Sequence, residues 1–257
     1  MKRLVLLLCI FSVFIFSGCA NQEKKLSTLE KIKKEGKVTV GVKVDSKPFG
    51  YEQNGELKGF DVDLAYLIAK KITKKLNPEV EFVKLTSNDR IFALNDGEVD
   101  MVIATMSITP QRNVLVNFSR PYYVAGQALM VKNKSKIKDI SNLSGKTTGI
   151  VLSSTGENTI IRLAPDTKIK GAKTYTEAFS LLKSGEIDAL LADDTILYGL
   201  ASDNKKYKIL PRRYTQEYYA IAVRKEDKDL QHVLDRAIRL LGDSGELNLL
   251  KKKWAKN

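Results

Sequence analysis

GEVDMVIAT, residues 97–105, is matched later in the chain by GEIDALLAD, residues 185–193. Each stretch begins with a glycine that can end a helix, continues as Glu-apolar-Asp, and becomes an apolar run that ends near polar side chains. A predicted helix with a phenylalanine, Phe92 or Phe179, precedes each stretch. The repeat predicts two α/β units of similar build, with a chance match as the alternative.

Strand and helix patterns alternate around the first stretch. The predicted strands are KVTVGV (37–42), VEFVKL (80–85) and VDMVIA (99–104), and the predicted helices are GFDVDLAYLIAKKI (59–72) and RIFALNDG (90–97). This alternation predicts an open, mostly parallel sheet with helices on its faces. Ligands of such sheets bind beyond the carboxyl ends of the strands. The polar residues that follow both repeated strands are therefore predicted to face one site.

Two further strand-like segments are predicted to connect the two units. They are GQALMVKN (126–133) and YYAIAVRKED (218–227), and the second returns the chain to the first unit. The remaining sequence, from residue 229 onward, has the pattern of an amphipathic helix, a break at Gly242–Gly245 and a second helix that ends near Trp254. We expect this apolar face to pack on the first unit.

The N-terminus has the pattern of an export signal. Lys2 and Arg3 precede a mostly apolar run, residues 4–16, which is too short to span a bilayer because that takes about 20 apolar residues. The following Ser-Gly-Cys resembles the bacterial lipoprotein signal, which implies that Cys19 is lipidated and becomes the first mature residue. Phe16 stands where leucine is usual, so an ordinary signal-peptide cysteine is the alternative.

Charge and cysteine content exclude several kinds of site. The net charge of +13 falls to +11 without Lys2 and Arg3, but lysines such as Lys70 lie on the polar side of a predicted helix without aromatic residues for base stacking. We therefore expect no nucleic-acid partner. The cysteine at Cys9 would leave with the signal, so a disulfide, a zinc site or a thiol nucleophile is not expected. No cofactor or metal is predicted.

Five motifs in order resemble the extracellular solute-binding protein family 3, the amino-acid-binding components of ABC importers. They are GFDVDLAYLIA, GEVDMVIATMSITPQR, NFSRPYY, LSGKTTGIVLSSTGE and GEIDALLADD. The resemblance implies a type II periplasmic-binding-protein fold, in which two α/β lobes joined by two hinge strands close on one amino acid. We divide the chain into a signal peptide (1–18), a tether (19–27), a first lobe (28–129 and 224–257) and a second lobe (130–223).

The groups that all amino acids share need paired charges once water is excluded. Arg112 presents a planar fork of donors to the α-carboxylate, with Ser107 beside it. Ser154 and Thr155 precede a predicted helix whose free N–H groups suit the same carboxylate.

The ammonium needs acceptors, which Asp193, Thr105 and Ser107 supply. The resemblance assigns these contacts to Thr105, Ser107, Arg112, Thr155 and Asp193.

Simpler structural roles compete with these assignments. Ser107 or Thr109 could cap the helix that begins at Pro110, and we expect Thr109 to be the cap. Arg112 could be a surface residue. Of the adjacent acids Asp193 and Asp194, one could cap a helix, and the resemblance selects Asp193 as the ligand.

The side-chain pocket is predicted from Lys43, Arg90 and Phe49. In relatives that bind aspartate or glutamate, a lysine and an arginine at the positions of Lys43 and Arg90 hold the side-chain carboxylate, and Phe49 with Tyr51 would form the apolar wall. These cations predict a preference for glutamate or aspartate, with glutamine and cysteine as alternatives. An exposed Lys43 is the structural alternative.

The predicted function is that of a monomeric, lipid-anchored receptor outside the cytoplasm. It would capture a free amino acid by lobe closure and deliver it to an ABC permease. The ATPase would be a separate polypeptide, because this chain has no phosphate-binding glycine loop with lysine. An enzyme is not expected. A dehydratase on the same fold is a remote alternative, and the GDSG at 242–245 does not indicate a serine protease because His232 is the single histidine.

Overall fold

A computed structural model describes residues 26–202 and 204–254. The predicted signal peptide and Cys19 lie outside the described residues. Up to the first crossing between lobes, the chain forms these elements: α1 (Thr28–Glu35), β1 (Lys37–Lys43), β2 (Asp45–Ser46), β3 (Gly50–Gln53), β4 (Glu56–Lys58), α2 (Phe60–Thr73), β5 (Glu79–Leu85), α3 (Arg90–Asn95), β6 (Met101–Val102), α4 (Pro110–Leu115) and β7 (Asn117–Phe118).

The rest of the chain crosses to a second sheet and returns. Its elements are β8 (Tyr123–Ala125), β9 (Gln127–Lys132), a 3₁₀ turn (Ile140–Leu143), β10 (Thr147–Val151), α5 (Gly156–Leu163), β11 (Lys168–Ala172), α6 (Tyr175–Ser184), β12 (Ala189–Asp193), α7 (Asp194–Ala201), β13 (Tyr207–Ile209), β14 (Glu217–Tyr219), β15 (Ala222–Val223), α8 (Lys228–Asp243) and α9 (Glu246–Trp254).

The two five-stranded sheets have the same layout. The first has the order β5-β1-β6-β15-β7 and the second β11-β10-β12-β9-β13. In each sheet three parallel strands are followed by an antiparallel partner, β15 against β6 and β9 against β12. The repeated stretches supply the equivalent strands β6 and β12. The predicted pair of similar α/β units is therefore confirmed.

The inner parallel strands of each sheet are mostly buried because helices cover the faces of the sheets, whereas the edge strands β5 and β11 are largely exposed or half-buried. Val40 and Val42 of β1 have no exposed surface, and Ile68 of α2 packs in the same cluster. The C-terminal helices join this cluster through Leu234 and Leu250, which confirms that they pack on the first lobe. The predicted break between them falls at the end of the expected range.

The crossings between the lobes differ in part from the prediction. Strands β8 and β14 pair antiparallel and carry the chain between the sheets. The predicted first connection, residues 126–133, instead forms β9 inside the second sheet, because its apolar residues are buried there between β12 and β13. The second predicted connection begins in β14 and continues into β15 of the first sheet. Among residues 26–202 and 204–254, no helix is long and apolar enough to cross a membrane.

Candidate ligand-binding site between the lobes

Polar residues from the carboxyl ends of strands in both sheets meet between the lobes. The contacts across the gap are direct. Arg112 Nη2 donates to the Ser153 carbonyl at 3.0 Å, and Ser153 Oγ donates to Asn88 Oδ1 at 2.8 Å. The backbone N–H of Tyr175 donates to Asp45 Oδ2 at 2.8 Å. The structure therefore shows the lobes closed on each other.

Arg112 lies where its fork reaches both lobes. Its Nη1 donates to the Ser107 carbonyl at 2.8 Å while Nη2 reaches Ser153. Thr109 caps the helix by accepting from the Arg112 backbone N–H at 3.2 Å, which confirms the predicted cap and leaves Ser107 free of that role. Burial lowers the pKa of Arg112, although Glu217 opposes the shift. The surface alternative for Arg112 does not hold, because its side chain is engaged at the lobe interface.

Thr105 is held in an unusual conformation directly after β6. Its φ of 47° lies in the left-handed region, which costs free energy for a residue with a branched side chain. Its N–H donates to Asp61 Oδ2 at 3.0 Å, and Tyr122 Oη donates to the other oxygen of Asp61 at 2.9 Å. Burial raises the pKa of Asp61 to about 7. The fully buried Asp61 thus fixes the backbone of a candidate ligand residue.

The sequence pattern did not indicate this role of Asp61. In the motif GFD an acid at the start of a helix is explained by the helix dipole alone. The signal that could have pointed further is that Asp61 lies among apolar neighbours that the sequence predicts to be buried.

In the second lobe, Ser154 and Thr155 precede α5 as predicted. Ser154 Oγ accepts from the backbone N–H of Gly156 at 3.2 Å, a contact within its own turn. Gln127 Nε2 donates to Thr155 Oγ1 at 2.6 Å. Since that oxygen already accepts a hydrogen bond, the Thr155 hydroxyl proton is free to be donated to a ligand carboxylate.

Asp193 ends β12 and is 6% exposed. Its Oδ2 accepts a hydrogen bond from the Tyr219 hydroxyl of β14. Burial and the nearby Glu217 raise the pKa of Asp193 to about 7. Its neighbour Asp194 is occupied by Arg213 and by the N–H of Gly126. The two adjacent acids therefore differ in their partners, and Asp193 is the one beside the lobe interface.

Lys43, at the end of β1, is buried with 1% exposure, so the exposed alternative is wrong. Its Nζ lies 3.1 Å from Ser87 Oγ, 3.3 Å from Asp45 Oδ1 and 4.0 Å from the centre of the Tyr175 ring. Burial lowers the pKa of Lys43 to about 8, against the opposing effect of Asp45. A buried lysine with a carboxylate and a hydroxyl still has one N–H for a ligand.

Arg90 is also buried, but its donors bind backbone carbonyls of its own lobe. Its Nε donates to Ser87 at 3.2 Å, and its Nη1 donates to Ala104 at 2.9 Å and to Thr105 at 3.5 Å. Burial, and then Arg112, lower its pKa to about 10. These contacts join the start of α3 to the chain after β6. Contact between Arg90 and a ligand stays a prediction.

Phe49 lies in an aromatic cluster without exposed surface. Its ring centre is 5.0 Å from that of Tyr123, 5.3 Å from Tyr219 and 5.7 Å from Phe60. Tyr51 packs against Trp254 instead. Phe49 therefore packs against Tyr219, whose hydroxyl donates a hydrogen bond to Asp193. The role of Phe49 as a pocket wall stays a prediction. Within the described part of the chain, no group of three or more potential ligands could hold a metal ion.

Comparison with known proteins identifies the family of the chain. The model for the bacterial extracellular solute-binding proteins, family 3, matches residues 38–257. The chain is similar to the ABC transporter glutamine-binding protein GlnH of Bacillus subtilis, with 38% identity over 97% of this chain and 95% of that protein. It is also similar to the glutamate/aspartate import solute-binding protein of Escherichia coli, with 31% identity over 90% and 80% of the two chains.

A solved structure of an ancestral arginine-binding protein bound to glutamine has the same fold. It superposes with a TM-score of 0.80 and 37% identity, over 85% of this chain and 97% of that chain.

Proposed function

Because the chain belongs to the bacterial extracellular solute-binding proteins of family 3, we propose that it captures a free polar amino acid between its lobes for an ABC importer. Its role is binding rather than catalysis. The observation that supports the proposal is the pair of opposite charges at the lobe interface, Arg112 from the first lobe and Asp193 from the second. An amino acid presents a carboxylate to the half-buried Arg112 and an ammonium to the buried Asp193, so both charges are paired.

The side chain of the ligand would be recognised at Lys43. Its remaining N–H suits an oxygen at the end of a polar side chain, which glutamine and glutamate both have. The relatives named above include a glutamine-binding and a glutamate/aspartate-binding protein, which supports this class. Taken alone, the two cations Lys43 and Arg90 would favour an acidic side chain, and cysteine would make weaker use of Lys43.

Delivery requires partners that this chain does not contain. We propose that the closed form with its ligand engages an ABC permease whose ATPase is a separate polypeptide. Lipid on Cys19 would hold the receptor at the membrane. One acyl chain gives only marginal binding, so stable retention needs a second lipid group.

A binding screen tests the proposal directly. A version of the protein that begins at Ala20 keeps every described residue and removes the proposed lipid site. Each of the twenty amino acids is added and the melting temperature is measured. A ligand at about 100 times its dissociation constant stabilises the protein by about 2.7 kcal/mol, or roughly 5 to 11 °C for a chain of this size. If no amino acid raises the melting temperature, the proposed function is wrong.

Substitution of Lys43 distinguishes recognition of the ligand's side chain from recognition of the amino and carboxyl groups that all amino acids share. Lys43→Ala should reduce the affinity for the preferred amino acid and narrow its advantage over glycine, which has no side chain. Glycine binding itself should change little, since glycine contacts only the groups that recognise the common part. If the Lys43→Ala variant kept its full preference, Lys43 would not recognise the side chain.

A further inference from the structure

We infer that Asp45 makes this receptor select a carboxamide over a carboxylate side chain, and that it links this choice to lobe closure. The inference rests on the proposed amino-acid-binding function. It goes further by naming glutamine as the preferred ligand and Asp45 as a residue that determines specificity.

Asp45 is placed between Lys43 and the second lobe. Its Oδ1 lies 3.3 Å from Lys43 Nζ and accepts a hydrogen bond from Ser46 Oγ at 3.0 Å. Its Oδ2 accepts the backbone N–H of Tyr175 at 2.8 Å. The side chain is 10% exposed, so this carboxylate is largely removed from water. The site at Lys43 is therefore an adjacent donor and acceptor rather than an isolated cation.

A carboxamide complements that pair better than a carboxylate. Its oxygen can accept from Lys43 while its NH₂ donates to the carboxylate of Asp45. A carboxylate has only acceptor oxygens, so one of them would face Asp45 with like charge and no proton between them. A site that both donates a hydrogen bond to its ligand and accepts one from it binds an analogue poorly when that analogue has no N–H or O–H to donate.

The charge balance of the whole site leads to the same preference. The cations are Lys43, Arg90 and Arg112. Three carboxylates oppose them, namely Asp45, Asp193 and Glu217, of which Glu217 is 6% exposed and accepts from Thr215 Oγ1 at 2.8 Å.

Asp61 adds a fourth carboxylate behind Thr105. Above about pH 7, where Asp61 and Asp193 are ionised, no surplus of positive charge remains for a second ligand carboxylate. The sequence indicated Asp193 as the one acidic residue of the site, so a charge count based on the sequence omits Asp45, Glu217 and Asp61.

The link to closure lies in Tyr175. Its N–H is in the first turn of α6, at the positive end of a ten-residue helix of the second lobe. Asp45 accepts that N–H, while Lys43 lies over the Tyr175 ring at 4.0 Å. A ligand that satisfies both Lys43 and Asp45 leaves them in the positions that hold Tyr175. A ligand that repels Asp45 displaces a contact of the closed form.

The test compares glutamine and glutamate by calorimetry on the native protein and on Asp45→Asn. We expect the native protein to bind glutamine about 10- to 150-fold more tightly than glutamate, since the choice turns on a hydrogen bond to a charged group. Asp45→Asn keeps the shape and removes the charge, so the preference should move toward glutamate by about tenfold or more. The matched control is Glu52→Gln. Glu52 lies in the same three-stranded sheet as Asp45, but it is exposed and pairs with Lys84 of β5. This variant should keep the native preference.

The outcomes separate the two claims. A native protein that prefers glutamate, or an Asp45→Asn variant with unchanged preference, overturns the role of Asp45 but leaves the receptor function standing. A native protein that binds no amino acid overturns the proposed function itself. If Asp45→Asn does not fold, the preference of the native protein still decides the inference.

Discussion

Gly199 offers a test of lobe closure that leaves each lobe intact. It lies in α7 of the second lobe, and a Cβ built on it would be 2.0 Å from the carbonyl oxygen of Lys47 and 2.6 Å from its carbon. Ordinary van der Waals contacts of a Cβ begin at 3.4 Å. The clashing atoms belong to the backbone of Lys47, so they cannot move aside as the end of a flexible side chain could. Gly199→Ala should therefore force the lobes apart by more than about 1 Å in the closed form.

The expected loss follows from the contacts that closure makes. Three of the interlobe hydrogen bonds lie at the candidate site and would break: Tyr175 N–H to Asp45, Ser153 Oγ to Asn88, and Arg112 to the Ser153 carbonyl. At about 0.5 to 1.5 kcal/mol each, their loss weakens ligand binding by about 1.5 to 4.5 kcal/mol, or roughly 10- to 2,000-fold. The fold itself should not weaken, because alanine is favoured over glycine inside a helix by about 0.8 to 1 kcal/mol.

Calorimetry and small-angle X-ray scattering together check this expectation. Gly199→Ala should bind the ligand more weakly, and a saturating ligand should reduce its radius of gyration less than that of the native protein. Gly242→Ala is the matched control, since Gly242 lies in α8 and an added Cβ meets nothing within 4 Å. This control should bind normally. Native affinity in Gly199→Ala would show that the close approach to Lys47 is not needed for binding, and the argument from closure would be refuted.

Three further predictions concern the groups common to all ligands and the anchor. Arg112→Ala and Asp193→Ala should each weaken binding of every amino acid by about 3 to 5 kcal/mol, roughly 150-fold to several thousandfold. Circular dichroism should show the fold intact in both variants. Near-normal calorimetric binding by either variant would show that the substituted residue does not belong to the site. The pKa of Asp193 is raised to about 7, so ligand binding below pH 7 must release its proton. The affinity should therefore fall by up to about tenfold for each unit by which the pH is lowered, and calorimetric titrations in buffers of different ionisation enthalpy measure the proton release. An affinity that is constant between pH 5 and 8 would contradict this. Cys19→Ala should leave the protein unprocessed or release it from the membrane fraction, and an unchanged membrane fraction would count against lipidation.

The same raised pKa affects the unliganded protein. Between the ordinary pKa of an aspartate, about 3.8, and about 7, the folded state holds a proton on Asp193 that the unfolded state releases. The contribution of this group to stability is therefore present at low pH and is lost as pH rises through that range. Asp61 has a pKa of about 7 for the same reason, burial, and acts in the same direction.

Local sequence patterns were sufficient for the α/β lobes and for Arg112. Apolar runs of β-branched residues and helical spacing are properties of neighbouring residues, and the strands β1, β5 and β12 follow from them. The position of Arg112 follows from a local signal as well, because Thr109 and Pro110 set the start of its helix. The repeat of GEVDMVIAT in GEIDALLAD located the equivalent strand of each lobe.

Residues far apart in the sequence decided the chemistry of the site. Asp45 meets Tyr175 across the lobes, and Asp193 meets Tyr219, a residue of the return crossing. Charge compensation depends on distance in space and on burial, and neither is encoded in the spacing of residues along the chain. The sequence alone could therefore show that Lys43 is a cation near the pocket. Only the tertiary structure showed that Asp45, 3.3 Å from Lys43, also binds Tyr175 of the other lobe, and the proposed preference for a carboxamide rests on these contacts.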